Sequence, residues 1–172
     1  MNPQMSAKQL AALYVKQNEG LASSMATRLK YFIYPDLLAD TTLCYAYQDS
    51  GGLWTIGRGS ITIPSGRKVK QGDYLTMKQV NDLFQLEFDE RWDEILRNKT
   101  FSLSDNEMTA LVDFAFNKGT PALLSSTLWK FLKNGTNKTI VAQQFSRWVY
   151  DNGNKVNGLV NRANSNIKIF LT

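Results

Sequence analysis

The 172-residue chain has no histidine and one cysteine, Cys44. Serine–histidine and cysteine–histidine nucleophile pairs are therefore excluded or nearly so, and no set of soft ligands exists for a zinc-bound water. Carboxylates must carry any acid–base work. Hydrolysis of a glycosidic bond fits that restriction: one protonated carboxyl donates to the leaving oxygen, and one ionised carboxylate stabilises charge or directs water. Glu19 follows an apolar helical pattern and precedes Gly20, a setting in which partial burial raises a carboxyl pKa and keeps its proton available near neutrality. It also reads as a solvated glutamate at a helix end. Asp49 opens the turn Asp49-Ser50-Gly51-Gly52, where an aspartate commonly serves only nearby backbone N–H groups. Thr55 has strong strand propensity and carries no chemical message alone. The expectation is a reaction with no cofactor and no metal, an all-oxygen metal site staying open.

The elements that must position these residues follow from periodicity and punctuation. Ser6 caps a helix with Leu10, Leu13, Tyr14 and Leu21 at near-helical spacing, bringing the chain to Glu19-Gly20. Residues 22–42 mix helical spacing at Met25, Leu29, Phe32 and Ile33 with a break at Pro35, and predict an irregular, partly helical excursion. Tyr45-Ala46-Tyr47-Gln48 and Leu53-Trp54-Thr55-Ile56 flank the Asp49 turn as a β-hairpin, the one clear sheet, with a third short strand or loop over Ile61 to Val69. Thr76 caps a long amphipathic helix to about Asn98. Ser104-Asp105-Asn106-Glu107 is a capping box for a helix to about Asn117. Further helices are expected from Thr120-Pro121 to Gly135, over Ile140 to Tyr150, and over Val156 to Phe170. The fold class is α+β: one domain with an N-terminal helix and small β-lobe (1–75), a connecting helix (76–98) and a helical lobe (99–172). An extended ligand would lie in a groove between the lobes.

Composition supports a folded, soluble chain, with 43% hydrophobic and 20% charged residues. The formal charge of +5 suits polyanions in general. Basic residues such as Lys16, Arg28, Arg58 and Lys70 are scattered, and no nucleic-acid motif is present, so no nucleic-acid partner is expected. Met1 to Leu10 lacks the basic start and apolar stretch of a signal peptide, and no transmembrane run of about 18 apolar residues occurs. The expectation is a monomer made in a cytoplasm without an export signal of its own.

Taken together, the residues resemble the phage-type lysozymes, the T-even-phage-like muramidases of glycoside hydrolase family 24. Asn18-Glu19-Gly20-Leu21 is similar to the family's Glu-Gly motif closing the first helix. Ala46 to Gly59 resembles its catalytic hairpin, with Asp49 six residues before Thr55. Ala110-Leu111-Val112-Asp113-Phe114-Ala115-Phe116-Asn117-Lys118-Gly119 looks like its groove-lining helix end, and Ser126-Thr127-Leu128 like its Ser-Thr-Leu element. Arg147-Trp148-Val149 and Gly158-Leu159-Val160-Asn161-Arg162-Ala163 look like the C-terminal signatures.

The resemblance implies a lysozyme-like fold and roles for these positions. Glu19 would protonate the oxygen between N-acetylmuramic acid and N-acetylglucosamine, while Asp49 and the Thr55 hydroxyl orient water on the other face. That is a single, inverting displacement, for which the carboxyls stand roughly 6.5–9.5 Å apart. Gly59, Phe116, Asn117 and Thr127 match substrate-binding positions, and Arg162 matches a basic residue pairing with the catalytic Glu. The partner is peptidoglycan. A lysis enzyme would move from host cytoplasm to periplasm or wall through holin-type lesions. The chain departs from the family in three places: Glu19 and Asp49 are thirty residues apart (49 − 19 = 30), so residues 22–42 look inserted; Ser60 stands where a His is usual; and Asn161 and Asn166 replace an Arg and a Glu. The insertion is expected to pack beside the groove and extend or restrict substrate contacts. Two other readings stay open: a lytic transglycosylase, which has no need of the Asp49–Thr55 pair, and a non-catalytic cell-wall-binding virion protein.

Overall fold

The computed structural model describes residues 5–19, 41–49 and 51–172. The expected excursion over 22–42 lies outside them apart from Thr41 and Thr42. The chain divides into two compact units, Glu19–Glu87 and the paired segments Met1–Asn18 and Phe88–Thr172.

Helix α1, Ala7–Glu19, starts where expected. Ser6 Oγ accepts from the Gln9 amide at 3.3 Å, and Gln9 Oε1 accepts from the Ser6 amide at 2.8 Å, so two otherwise orphaned donors are satisfied reciprocally. Its inward face is not the leucine stripe. Ala11, Ala12 and Val15 are buried, whereas Leu10 and Leu13 are 55% and 40% exposed. Small side chains let the helix backbone approach its neighbours, and periodicity alone does not choose between two adjacent apolar stripes.

In the unit Glu19–Glu87, β1 (Leu43–Tyr45) pairs antiparallel with β4 (Tyr74–Thr76), and β2 (Tyr47–Gln48) with β3 (Trp54–Thr55). The predicted hairpin is β2–β3, but Tyr45 lies opposite Tyr74 rather than continuing that hairpin. Between β3 and β4 the chain is loop, held by isolated bridges Ile56–Ser60 and Thr62–Lys68. Cys44, Ile56, Val69, Leu75, Met77, Val80 and Leu83 form the core here, each large side chain contributing about 1.5–3 kcal/mol of burial. Cys44 is 2% exposed with its Sγ 3.1 Å from Met77 Sδ, and burial pushes its thiol pKa up. Gly57, at φ +61, is required: a Cβ there would lie 2.8 Å from Val80 Cγ1.

Helix α2, Met77–Asn98, leaves β4 through the Thr76 cap, whose Oγ1 accepts from the Gln79 amide at 3.2 Å. The second unit holds α3 (Asp105–Lys118), α4 (Thr120–Ser125), α5 (Thr127–Lys133), α6 (Lys138–Gln143), a 3-10 turn (Gln144–Arg147), β5 (Tyr150–Asp151), β6 (Asn154–Lys155) and α7 (Asn157–Leu171). The capping box at Ser104 and Glu107 is present, and α3 ends within a residue of the expected Asn117.

Two helix expectations are corrected. The one from Thr120 to Gly135 is broken at Ser126, which adopts an extended backbone. Its hydroxyl accepts from the Trp129 amide at 3.0 Å and so restarts the chain as α5. The helix over Ile140 to Tyr150 stops at Gln143, and the chain then turns into the β5–β6 hairpin. Asn152 at φ +47 and Gly153 at φ +79 occupy the two central positions of a tight two-residue loop, the conformation that Asn-Gly favours between strands. The sheet expectation is corrected with it, since the described residues form three two-stranded ladders rather than one.

Candidate active site

Glu19 is the last residue of α1 and is half-buried. Its Oε2 lies 3.6 Å from the point a Cβ would occupy on Gly59, which is at φ +99. Gly59 thus leaves open the space beside this carboxyl and takes a backbone conformation that side chains rarely adopt.

Asp49 follows β2 and is exposed. Both donors described at its side chain take Oδ1: the Gly51 amide at 2.9 Å and the Leu53 amide at 2.8 Å. The backbone also closes on itself here, with the Asp49 amide donating to the Leu53 carbonyl at 3.0 Å and the Gly52 amide to the Asp49 carbonyl at 3.0 Å. Thr55 is 3% exposed, and its hydroxyl donates to the Leu53 carbonyl at 3.0 Å. Leu53 therefore fixes both side chains, Asp49 through its N–H and Thr55 through its C=O. The Thr55 oxygen, its proton committed, retains acceptor capacity.

Tyr47 faces Thr55 across the β2–β3 ladder, so the two side chains share a face of the hairpin. Its phenol pKa is raised first by burial, then by the charge of Asp49 and then by that of Glu19. Both carboxyl groups thus lie within electrostatic reach of one hydroxyl.

The other expected residues belong to the second unit. Phe116, near the end of α3, is half-buried, with the Arg91 guanidinium 4.5 Å above its ring centroid. Asn117 and Arg162 line one depression together with Lys118 and Trp148. Thr127, the first residue of α5, lines a cavity of about 310 Å3 with Ser125, Gln144, Arg147 and Trp148. Arg147 Nη1 donates to Thr127 Oγ1 at 3.2 Å. Three of the four residues thus border hollows that share Trp148, whose ring meets Phe114 edge-on at 4.9 Å. Burial lowers the Lys118 pKa there, with the Asp151 charge opposing it.

Sequence reasoning missed Asp113 as a site residue. It is 0% exposed and binds Arg162 through two side-chain contacts of 2.8 Å, Nε to Oδ2 and Nη2 to Oδ1. The signal was present: Asp113 is the lone charge within the apolar run Ala110 to Phe116, and a charge on a buried face needs a partner. Tyr47 and Trp148 were also missed, because aromatic residues in strands and turns are ordinarily packing residues. Among the described residues, no three His, Cys, Asp or Glu side chains gather where a metal ion would be held, and no described helix is long and apolar enough to cross a membrane.

A family model described as phage lysozyme matches residues 41–166. That span contains Asp49, Thr55, Gly59, Phe116, Asn117, Thr127 and Arg162, and begins after Glu19. The chain is similar to the endolysin of Bacillus phage PZA, 33% identical over 109 residues, which are 63% of this chain and 40% of that protein. It is similar also to the endolysin of Bacillus phage B103, 31% identical over 119 residues, 69% of this chain and 43% of the relative. The chain spans about two fifths of the length of these two relatives. Among solved structures, an endolysin from Escherichia coli O157:H7 phage FAHEc1 superposes with a TM-score of 0.70 at 29% identity, covering 99% of this chain and 95% of that one. The muramidase domain of SpmX from Asticaccaulis excentricus gives 0.71 at 22% identity, covering 98% and 99%. The α+β, lysozyme-like fold expected from the residues is the fold these neighbours share.

Proposed function

The chain belongs to the phage lysozyme family, and from that premise we propose that it hydrolyses peptidoglycan at the β-1,4 bond between N-acetylmuramic acid and N-acetylglucosamine. The observation that carries this reading is the joint geometry of the β2–β3 hairpin and the end of α1. Asp49 and Thr55 are held by one residue, Leu53, and the Glu19 carboxyl lies beside Gly59, four residues after Thr55.

Glu19 is the general acid. Half-buried, with its carboxyl beside the open space at Gly59, it donates its proton to the departing glycosidic oxygen. Asp49 and Thr55 prepare the water. With Oδ1 taken by the turn and the threonine proton taken by Leu53, Asp49 Oδ2 and Thr55 Oγ1 each accept one hydrogen of a single water molecule. The water then presents a lone pair to the anomeric carbon while Asp49 receives its proton, a direct displacement that inverts that centre. Gly59, Phe116, Asn117, Thr127 and Arg162 contact the glycan strand. Within the family, the Glu19-Gly20 motif and the six-residue interval from Asp49 to Thr55 support a reading of the chain as a T-even-phage-like muramidase of glycoside hydrolase family 24. It acts as a monomer without cofactor in host lysis, and a holin gives it access from the cytoplasm to the wall.

The test is digestion of purified peptidoglycan by the wild type, Glu19→Gln and Asp49→Asn, with products resolved by mass spectrometry. Reducing muramic acid ends from the wild type, and at least about a hundredfold loss in each variant, are expected. Anhydro-muramic ends would identify a lytic transglycosylase instead, and no cleavage by the wild type would leave a binding protein.

A further inference from the structure

We infer that Asp113 is a positioning residue for Glu19, acting through Asn18 to set the rotation of the last turn of α1; this rests on the reading of Glu19 as the acid. Asp113 is wholly buried on α3 and accepts two side-chain donors on each oxygen. Oδ1 takes Asn18 Nδ2 at 3.0 Å and Arg162 Nη2 at 2.8 Å; Oδ2 takes Arg162 Nε and Asn166 Nδ2, both at 2.8 Å. Arg162 Nη2 also donates to the Asp113 carbonyl at 3.2 Å. With all four lone-pair directions used, the carboxylate has one orientation left to it.

The cluster grips α1 twice. Tyr14 donates its hydroxyl to Asn166 Oδ1 at 3.0 Å, and Asn18 donates to Asp113 itself. Residues 14 and 18 are four apart and so lie one above the other on a single helix face. Two bonds on one face, one turn apart, oppose rotation of the helix about its axis. Arg162 and Asn166 are likewise four apart on α7, so each partner helix contributes one face to the same buried charge. Glu19 is the residue after Asn18, and α1 has no further turn among the described residues. A helical side chain extends about 5–6 Å from the axis. A 10° rotation of the last turn therefore moves the Glu19 carboxyl by about 1 Å, enough to cost on the order of a hundredfold in rate where proton transfer requires close placement. Residues 14, 18, 113, 162 and 166 thus form a brace whose output is the position of residue 19.

The test compares Asp113→Asn, Asn18→Ala and Glu19→Gln on soluble peptidoglycan fragments, with Val141→Ala as a control. Val141 is buried on α6 outside this cluster, so its truncation lowers stability without loosening α1. Measurements are made well below each variant's melting temperature, with folding checked by circular dichroism. Positioning predicts that kcat falls about 10- to 100-fold in Asp113→Asn and about 3- to 10-fold in Asn18→Ala, with KM unchanged in Asn18→Ala, which leaves Arg162 anchored. Val141→Ala should keep wild-type kcat despite a lower melting temperature. If Asp113→Asn fails to fold, Asn18→Ala, which leaves the Asp113–Arg162 pair intact, decides alone. Wild-type kcat in the folded Asn18→Ala variant, or a loss confined to melting temperature, overturns the inference. Wild-type turnover in Glu19→Gln would instead overturn the role of Glu19, a separate failure.

Discussion

Replacing Thr55 by valine isolates the proposed water-holding hydroxyl with little structural disturbance. Valine matches threonine in shape and in β-branching, so the β2–β3 ladder keeps its side-chain stiffness. The hydroxyl is buried and donates only to the Leu53 carbonyl, which also accepts from the Asp49 amide at 3.0 Å. The carbonyl therefore keeps a partner when the hydroxyl goes. The net loss is one hydrogen bond of about 0.5–1.5 kcal/mol, partly offset by the added buried methyl. For a chain of this size that lowers Tm by no more than about 2–5 °C. Activity should respond far more. The water loses one of its two acceptors and rotates freely about the other, and removal of a single pre-placed polar group of this kind costs about 10²–10³ in kcat. Turnover on purified peptidoglycan would be measured for the wild type, Thr55→Val and Thr55→Ser, with serine keeping the oxygen and expected to retain most activity. If Thr55→Val, folded and within a few degrees of the wild-type Tm, turns over within about threefold of it, the water-orienting argument is wrong.

Two further outcomes follow from local geometry. Gly57→Ala sets a Cβ 2.8 Å from Val80 Cγ1 at a positive φ, and with Val80 held in the core it should lose about 2–4 kcal/mol; an unchanged midpoint in urea would contradict that packing. Lys118 has its pKa lowered from 10.5 by burial. The unfolded chain binds more protons than the folded one between the lowered value and 10.5, so this residue makes stability rise with pH across that window. Lys118→Met should raise stability at pH 7 and flatten that rise, measured as urea midpoints from pH 7 to 10. A steeper rise in the variant than in the wild type would reverse the sign of the argument.

How much of the site was legible in residue order differs from one side chain to the next. The absence of histidine confined the chemistry to carboxylates, and Asp49-Ser50-Gly51-Gly52 announced a turn because Asp and Gly satisfy and permit tight backbone paths. The Asn152-Gly153 turn carries the same kind of signal, whereas the apolar spacing of Ile140 to Tyr150 is compatible with a helix running up to it. The helix ends at Gln143, the chain tightens into the 3-10 turn Gln144–Arg147, and Tyr150 and Asp151 then pair with Lys155 and Asn154.

What residue order determined by itself was local: caps at Ser6, Thr76 and Ser104, the hairpin bearing Asp49 and Thr55, and the chemical type of any acid or base. These depend on interactions within a few residues, which a sequence displays directly. Only the folded chain decided which stripe of α1 turned inward, that one leucine backbone holds both Asp49 and Thr55, and that Asp113 on α3 meets Arg162 and Asn166 from α7 and Asn18 from α1. Those choices depend on packing and on the pairing of buried charge between segments far apart in the chain, and no local propensity encodes them.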